Sequence, residues 1–369
     1  MGNLLSQVLK VVVGGMIIHQ LTKNEHLKIN DMANCNKLFL DYNNKLKLTS
    51  SKIKRMKTAR ENIKTKITEY FKDKSKYSFT GTWIQGSYKM DTIIRTDDDT
   101  CDMDLGVYFK MVDSEVTAAT VMDQVFKAVE DITTTTPSKK SKCIRVVYKG
   151  DFHIDIPVYH YNTNEHSHPR LATRYNGWEE SDPKDFYDWF NNQSSDDLPQ
   201  LKRIIKYLKA WSDNKKGKFP SGLAFSIWAV SLLNINERDD IALYELLKKI
   251  RDDISYSWSL KMPVTPFDDV CKKLTYEQKS NFKDALEAFI KDAKDAIESK
   301  NQLAASTLWQ NHLGNRFPEG ADEDTDAKEA DLKTISEKVL SSTAYTQSSG
   351  AITSQTTGVK NKRHTSYGG

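Results

Sequence analysis

From Asp102 to Phe109 the chain alternates strictly: Met103, Leu105, Val107 and Phe109 are apolar, with Asp102, Asp104, Gly106 and Tyr108 between them. A period of two is the signature of a β-strand, so both carboxylates point to one side of it. A second β signal follows, in which the β-branched and aromatic run Ile144–Tyr148 turns at Lys149-Gly150-Asp151 into Phe152–Tyr159, predicting a hairpin. On its second arm Asp155 shares a face with His153, Pro157 and Tyr159, and Pro157 marks a strand end or an edge. These segments define a β-rich block over roughly residues 77–175.

The flanks are helical. Between Ser50 and about Lys74, the residues Ile53, Met56, Ile63, Ile67, Tyr70 and Phe71 recur at three- and four-residue steps, capped by Thr49-Ser50-Ser51. The opposite face is basic (Lys54, Arg55, Lys57, Arg60, Lys64, Lys66), as expected of a solvated lysine face. Helical spacing returns over Asp185–Asn191, Leu198–Trp211, Leu223–Ile235, Ile241–Asp253, Thr275–Asn301 and Leu303–Leu313. At 369 residues the chain is long enough for one large or two domains. The expected boundaries are an N-terminal arm at 1–34, an α/β core at 35–180, a helical lobe at 181–318 and a flexible tail at 319–369.

Net charge is +4, from 54 basic and 50 acidic residues, too little to argue for a polyanion partner across the whole surface. Nucleic-acid binding is therefore not expected. The four cysteines are far apart and form no C-x-x-C pair, which argues against a disulfide scaffold or a cysteine zinc site and fits a reducing cytoplasm. The apolar run at 8–18 is too short and too Gly-broken to span a bilayer, which takes about 20 residues. Met1–Ser6 formally matches a myristoylation pattern, a short one that arises easily.

Carboxylates at i and i+2 of a strand lie about 6–7 Å apart along the backbone, close enough to reach a shared pair of divalent ions. Magnesium favours one or two carboxylates together with phosphate oxygens and water. Asp155 on a neighbouring strand would complete a two-metal site for in-line displacement at phosphorus. Upstream, Gly86-Ser87 stands between a strand and a helical segment, where backbone N–H groups and a hydroxyl can receive phosphates. Asp97 and Asp99 form a competing Asp-x-Asp nearer to Gly86-Ser87, but Thr96–Thr100 lacks apolar alternation and reads as a polar turn. A metal pair needs the rigidity of a strand, so Asp102 and Asp104 are selected.

Trp83-Ile84-Gln85-Gly86-Ser87, Asp102-Met103-Asp104 and His153-Ile154-Asp155-Ile156-Pro157 resemble the polymerase-β-type nucleotidyltransferases. More narrowly, they are similar to the bacterial relatives of cyclic GMP–AMP synthase, the CD-NTases of anti-phage signalling systems (CBASS). The likeness continues through Trp178–Lys184, Arg203–Trp211, Pro220-Ser221-Gly222 and Trp309…Arg316-Phe317-Pro318, covering about residues 35–318. It implies an α+β fold: a polymerase-β-like nucleotidyltransferase core with a mixed sheet plus a helical C-terminal lobe, bilobed with a central cleft. It also implies that Gly86 and Ser87 hold the donor triphosphate. Asp102 and Asp104 would bind both metals, Mg²⁺ or Mn²⁺, and Asp155 the one that activates the attacking ribose hydroxyl. Lys206 matches a helix lysine that contacts donor phosphates, assisted by the Ser221 hydroxyl. On the residues alone, Lys202, Arg203 and Lys206 give one basic helix face.

The expected activity is synthesis of a cyclic di- or trinucleotide second messenger from nucleoside triphosphates, read by a downstream effector. The alternatives are a template-independent transferase acting on RNA ends or a small acceptor, and a catalytically idle scaffold or conjugation substrate. The terminal Gly368-Gly369 resembles the end of a ubiquitin-like modifier, which makes an E1/E2-like conjugating enzyme acting on Gly369 a candidate partner. His160, His166 and His168, with His153 nearby, invite a zinc reading, but no cysteine joins them and their spacing is not a standard site.

Overall fold

The computed structural model describes residues 33–110, 116–162, 164, 167–192, 197–215 and 219–323, and most positions between 334 and 360. Residues 1–32 of the expected 1–34 arm, His166 and Gly368-Gly369 lie outside the described residues. Two compact units are distinguished: residues 39–291 with 310–318, and the described parts of 1–38, 292–309 and 319–369.

The helices that precede the sheet are α1 (Asn36–Leu46) and α2 (Ser50–Phe71). The Thr49 hydroxyl caps α2, accepting from Lys52 N at 3.2 Å, and a buried stripe of Met56, Ala59, Ile63, Ile67 and Phe71 runs down one face. The sheet begins with β1 (Ser78–Gln85), then the single-turn helix α3 (Gly86–Lys89) and β2 (Asp102–Lys110). Helix α4 (Ala118–Val129) follows, capped by Thr117. Its Val121, Val125 and Ala128 have helical spacing that the reading of 77–175 as a β-rich block passed over. Then come β3 (Ser138–Lys139), β4 (Ile144–Tyr148), β5 (Phe152–Ile156), β6 (Val158–His160), β7 (Arg170–Thr173) and β8 (Gly177–Glu180).

The sheet is mixed, with order β3-β4-β5-β2-β6-β7-β8, and β1 pairs with β2. The hairpin of β4 and β5 forms as the sequence predicts. Pro157 does end a strand: having no N–H, it divides β5 from β6, while its carbonyl still accepts from Val107 N at 2.9 Å. Both halves run parallel to β2, β5 along Asp102–Asp104 and β6 along Val107–Phe109. With β1 on its other edge, β2 is central. That is why Gly106 and Tyr108, on the polar side of the alternation, are buried as well. The core under the sheet joins Met103, Leu105, Val107, Ile154 and Val158 to the inner faces of α2 and α4.

The remaining helices are α5 (Pro183–Asn191), α6 (Leu198–Asn214), α7 (Gly222–Leu232), α8 (Asp239–Tyr256), α9 (Tyr276–Glu298) and α10 (Gln302–Leu313). Trp211 of α6 anchors this cluster, its fully buried ring meeting Phe219, Phe225, Phe282 and Phe289. Tyr207 donates its hydroxyl to Phe39 O and Asp239, tying α6 to α1 and α8.

In the smaller unit, Gly320 N donates to the Ser306 hydroxyl and Leu303 N to Ala321 O. The segment after 319, read from sequence as lacking regular structure, carries three two-residue strands: β9 (Tyr345–Thr346), β10 (Ile352–Thr353) and β11 (Val359–Lys360). The latter two pair antiparallel with β9.

Candidate active site

The parallel register of β2 and β5 sets Asp102 opposite His153 and Asp104 opposite Asp155. Asp155, about fifty residues further along the chain, thus meets Asp102 and Asp104 across two adjacent inner strands. The three carboxylates line a cavity of about 450 Å³ whose other walls include Gly86, Ser87, Asp182, Tyr187, Lys209 and Ser226.

Gly86 is required by geometry. It sits at φ +65° at the start of α3, and a Cβ there would collide with Asp104 Oδ2. The glycine therefore lets the turn that opens α3 close onto the carboxylate. Next to it Gln85 donates to the Tyr159 hydroxyl at 2.9 Å, fixing β1 against β6 on the cavity wall.

The carboxylates are not equivalent. Asp104 makes no hydrogen bond or ion pair among the described residues. Burial pushes its carboxyl up to about 7, and Asp155 and Asp102 push in the same direction. Asp155 is held by a two-pronged Arg145 contact, Nε to Oδ1 at 2.7 Å and Nη2 to Oδ2 at 2.8 Å. Asp102 faces the His153 ring at 2.9 Å and lies 3.5 Å from Arg145. Neither Arg145 nor its role was singled out in the sequence. The signal was there, since Arg145 and Asp155 sit at matching distances from the Lys149-Gly150-Asp151 turn.

The predicted phosphate lysine is placed elsewhere. Lys206 is buried in a neighbouring pocket with Lys47, Tyr88 and Ile93, 3.5 Å from Asp91, and burial lowers its pKa. Arg203 is committed to Asp239 by a double contact, so the basic face expected at Lys202, Arg203 and Lys206 is largely consumed inside the fold. Lys209, one turn further on, lines the cavity. It donates to Thr92 O at 3.0 Å, and burial pushes it down to about 7 against the opposing pull of Asp104. A Cβ at residue 222 would press on the Lys209 side chain, so Gly222 makes its room. Sequence reasoning missed Lys209, although it is the lysine that stands two residues before the buried Trp211.

Ser221 is the N-cap of α7, accepting from Ala224 N at 3.3 Å. The residues after it, Gly222, Leu223 and Ser226, line the cavity instead. Among the described residues the histidines do not gather: His160 is buried with its ring against Trp178, and His153 faces Asp102. His168 bonds Asp182, the N-cap of α5. Ligand atoms of His168, Asp182 and Asp185 lie within 4.8 Å of one another, the one such group with metal-ligand spacing among the described residues.

The Asp102–Asp104–Asp155 set has the donor chemistry of a hard divalent cation, all carboxylate oxygens on rigid strands, although its oxygens do not share the mutual spacing of the His168 group. The Asp104 carboxyl is raised first by burial and then by its two acidic neighbours. Asp97–Asp99 belong to a polar turn, as the sequence predicts, and are bound internally: Asp97 to Arg316 at 2.6 Å, Asp98 to Thr96 and Thr100, and Asp99 to Lys52.

A family model described as "Cyclic GMP-AMP synthase DncV-like, nucleotidyltransferase domain" matches residues 80–159, the segment that carries all three carboxylates and Gly86-Ser87. A cyclic GMP-AMP synthase of Escherichia albertii is 27% identical over 220 residues, covering 54% of this chain; the match spans about half (48%) of that relative's length. A cyclic AMP-AMP-AMP synthase of an Acinetobacter strain is 24% identical over 272 residues, covering 65% of this chain and 73% of the relative. Among solved structures, Vibrio cholerae DncV superposes with a TM-score of 0.66 at 18% identity, covering 77% of this chain and 97% of DncV. The E. coli CdnC of a CdnC–HORMA complex superposes at 0.61 with 16% identity, covering 77% and 98%. The mixed sheet with its helical lobe is the polymerase-β-like nucleotidyltransferase fold of those structures, and residues 80–159 match the DncV-like nucleotidyltransferase domain found in bacterial cyclic nucleotide synthases.

Proposed function

We propose that this chain is a cyclic oligonucleotide synthase, joining nucleoside triphosphates into a cyclic di- or trinucleotide with release of pyrophosphate at each linkage. The observation that carries it is the meeting of Asp102, Asp104 and Asp155 on one wall of a cavity that Gly86, Ser87 and Lys209 complete. The curated relatives named as cyclic GMP-AMP and cyclic AMP-AMP-AMP synthases, and a DncV form with bound GTP, support the reaction class and the substrate class. An anti-phage role for the product, read by a separate effector, extends the same reading.

The residues divide the work. Gly86 exposes the backbone of α3 to the donor's terminal phosphates, and the Ser87 hydroxyl supplies a further donor. Lys209, already desolvated, meets a phosphate as a point charge and regains its full protonation when it does. Asp102 and Asp104 would hold two divalent ions, Mg²⁺ or Mn²⁺, with Asp155 holding the one near the attacking hydroxyl. When bound, the ions supply Lewis acidity at the phosphoryl group and a lowered pKa for that hydroxyl. The Phe186 and Tyr187 rings in the cavity offer faces for nucleobases.

The test is incubation with radiolabelled nucleoside triphosphates and Mg²⁺ or Mn²⁺, then phosphatase treatment and mass spectrometry. A phosphatase-resistant small product that disappears in Asp102→Asn supports the reading. An extended acceptor would indicate a terminal transferase, and no incorporation at all an idle scaffold. Conjugation through Gly369 is a separate proposal, and an adduct formed with an E1/E2-like enzyme present is its readout.

A further inference from the structure

Asp155 is the carboxylate assigned to the cation at the attacking hydroxyl, yet both of its oxygens are engaged by one side chain. Arg145 stands directly across from it in the antiparallel β4–β5 register. Its guanidinium fork reaches Oδ1 at 2.7 Å and Oδ2 at 2.8 Å, and the same Nη2 lies 3.5 Å from Asp102 Oδ2. The other Asp102 oxygen faces the His153 ring at 2.9 Å. All four oxygens of Asp155 and Asp102 therefore have a partner from the chain itself, while Asp104 has none. The pair is only partly wet, with the Arg145 side chain 28% and the Asp155 side chain 14% exposed.

A bidentate arginine–carboxylate contact in such a setting is among the stronger polar interactions in proteins. It uses the lone pairs that a divalent cation needs. We infer that Arg145 is a built-in competitor for the cation at Asp155: in the nucleotide-free protein its guanidinium takes the cation's place, and loading of that position requires the fork to open. Asp104, without a partner, stays free for the other cation. An arriving triphosphate adds negative charge to the cavity, which favours both the incoming cation and release of the guanidinium. Full metal loading is thereby coupled to substrate, and an empty site is kept from accumulating charge. This inference rests on the metal-binding reading of the three aspartates.

The two roles open to Arg145 differ in sign. A competitor weakens cation binding; a residue that merely orients Asp155 strengthens it. Mn²⁺ titrated into the nucleotide-free protein, with free Mn²⁺ followed by electron paramagnetic resonance, separates them without reference to turnover. Arg145→Gln is expected to bind Mn²⁺ more tightly than the parent by about fivefold or more. Arg145→Lys, which cannot form the fork, is expected to fall between them. Unchanged or weaker binding in Arg145→Gln overturns the inference, and Arg145→Lys carries the same test if the glutamine variant does not fold. A parent protein that binds no Mn²⁺ with or without ATP, and in which Asp104→Asn changes nothing, removes the metal reading itself.

Discussion

In the turn at 96–100, Asp98 accepts from the Thr96 and Thr100 hydroxyls and is held below the usual carboxylate range. Six residues on, Asp104 is buried beside Asp155 and Asp102 and pushed up to about 7. Both belong to one acidic run, and each carries the opposite electrostatic consequence. The turn's carboxylates are exposed yet matched by cations of the chain itself: Asp97 and Asp213 receive Arg316, and Asp99 and Asp151 flank the nearly inaccessible Lys52. The strand's carboxylates are stacked against one another, and one is left without a partner. On the proposed function a cation or a substrate arrives at that cluster, so the contrast would separate a stabilising region from a working one.

The largest effect that can break this comparison comes from Asp104→Asn. Product formation should fall by about a thousandfold or more, as expected when a charge-stabilising group of the reaction centre is removed. The metal-free variant should nonetheless melt higher than the parent at neutral pH. The sign follows from linkage. A carboxyl whose folded pKa is raised contributes stability below its ordinary value near 3.8, and that contribution is lost as pH rises through about 7. The melting difference between variant and parent should therefore grow between pH 4 and 7 and then level off. Asp98 has the opposite slope, its contribution being present above the ordinary pKa and lost on acidification. A melting difference with the opposite pH slope would place Asp104 in the same class as the turn, and a flat one would remove the contrast.

Two lysines one helical turn apart sharpen the comparison. Lys209→Ala should reduce kcat/KM by about a hundredfold, and Lys206→Ala by no more than about tenfold, because the first lines the cavity and the second faces Asp91 in another pocket. Steady-state kinetics with varied nucleoside triphosphate read this directly, and the reverse ranking would restore the original expectation for Lys206.

Smaller effects belong to the turn. Lys52→Met should cost about 2 kcal/mol in denaturant unfolding, since it leaves Asp99 and Asp151 without their shared buried cation. Asp97→Asn should cost about 0.5–1 kcal/mol, the size of a half-exposed ion pair, with activity nearly unchanged well below the melting temperature. A large loss of activity in Asp97→Asn at full folding would mean that the turn takes part in the reaction.

Much of this arrangement is written in local pattern. The alternation at 102–109 sets two carboxylates on one strand face, and the hairpin at 144–159 follows from β-branched runs around a Gly-containing turn. Pro157 ends its strand because it has no N–H to give. Each of these depends on neighbours within a few residues, which is why the three aspartates and Gly86-Ser87 could be singled out before any fold was known. Choosing between Lys206 and Lys209 could not be done that way, because both lie on one amphipathic helix, and only the packing of α6 against Asp91 and Gly222 assigns one to each pocket. The same holds for Arg145 and for the turn's aspartates. Their partners come from other elements (a neighbouring strand, α2, the segment at 316), so their charge balance is a property of long-range contacts. Periodicity sets which face of its own element a side chain occupies; what that face meets depends on how the elements pack.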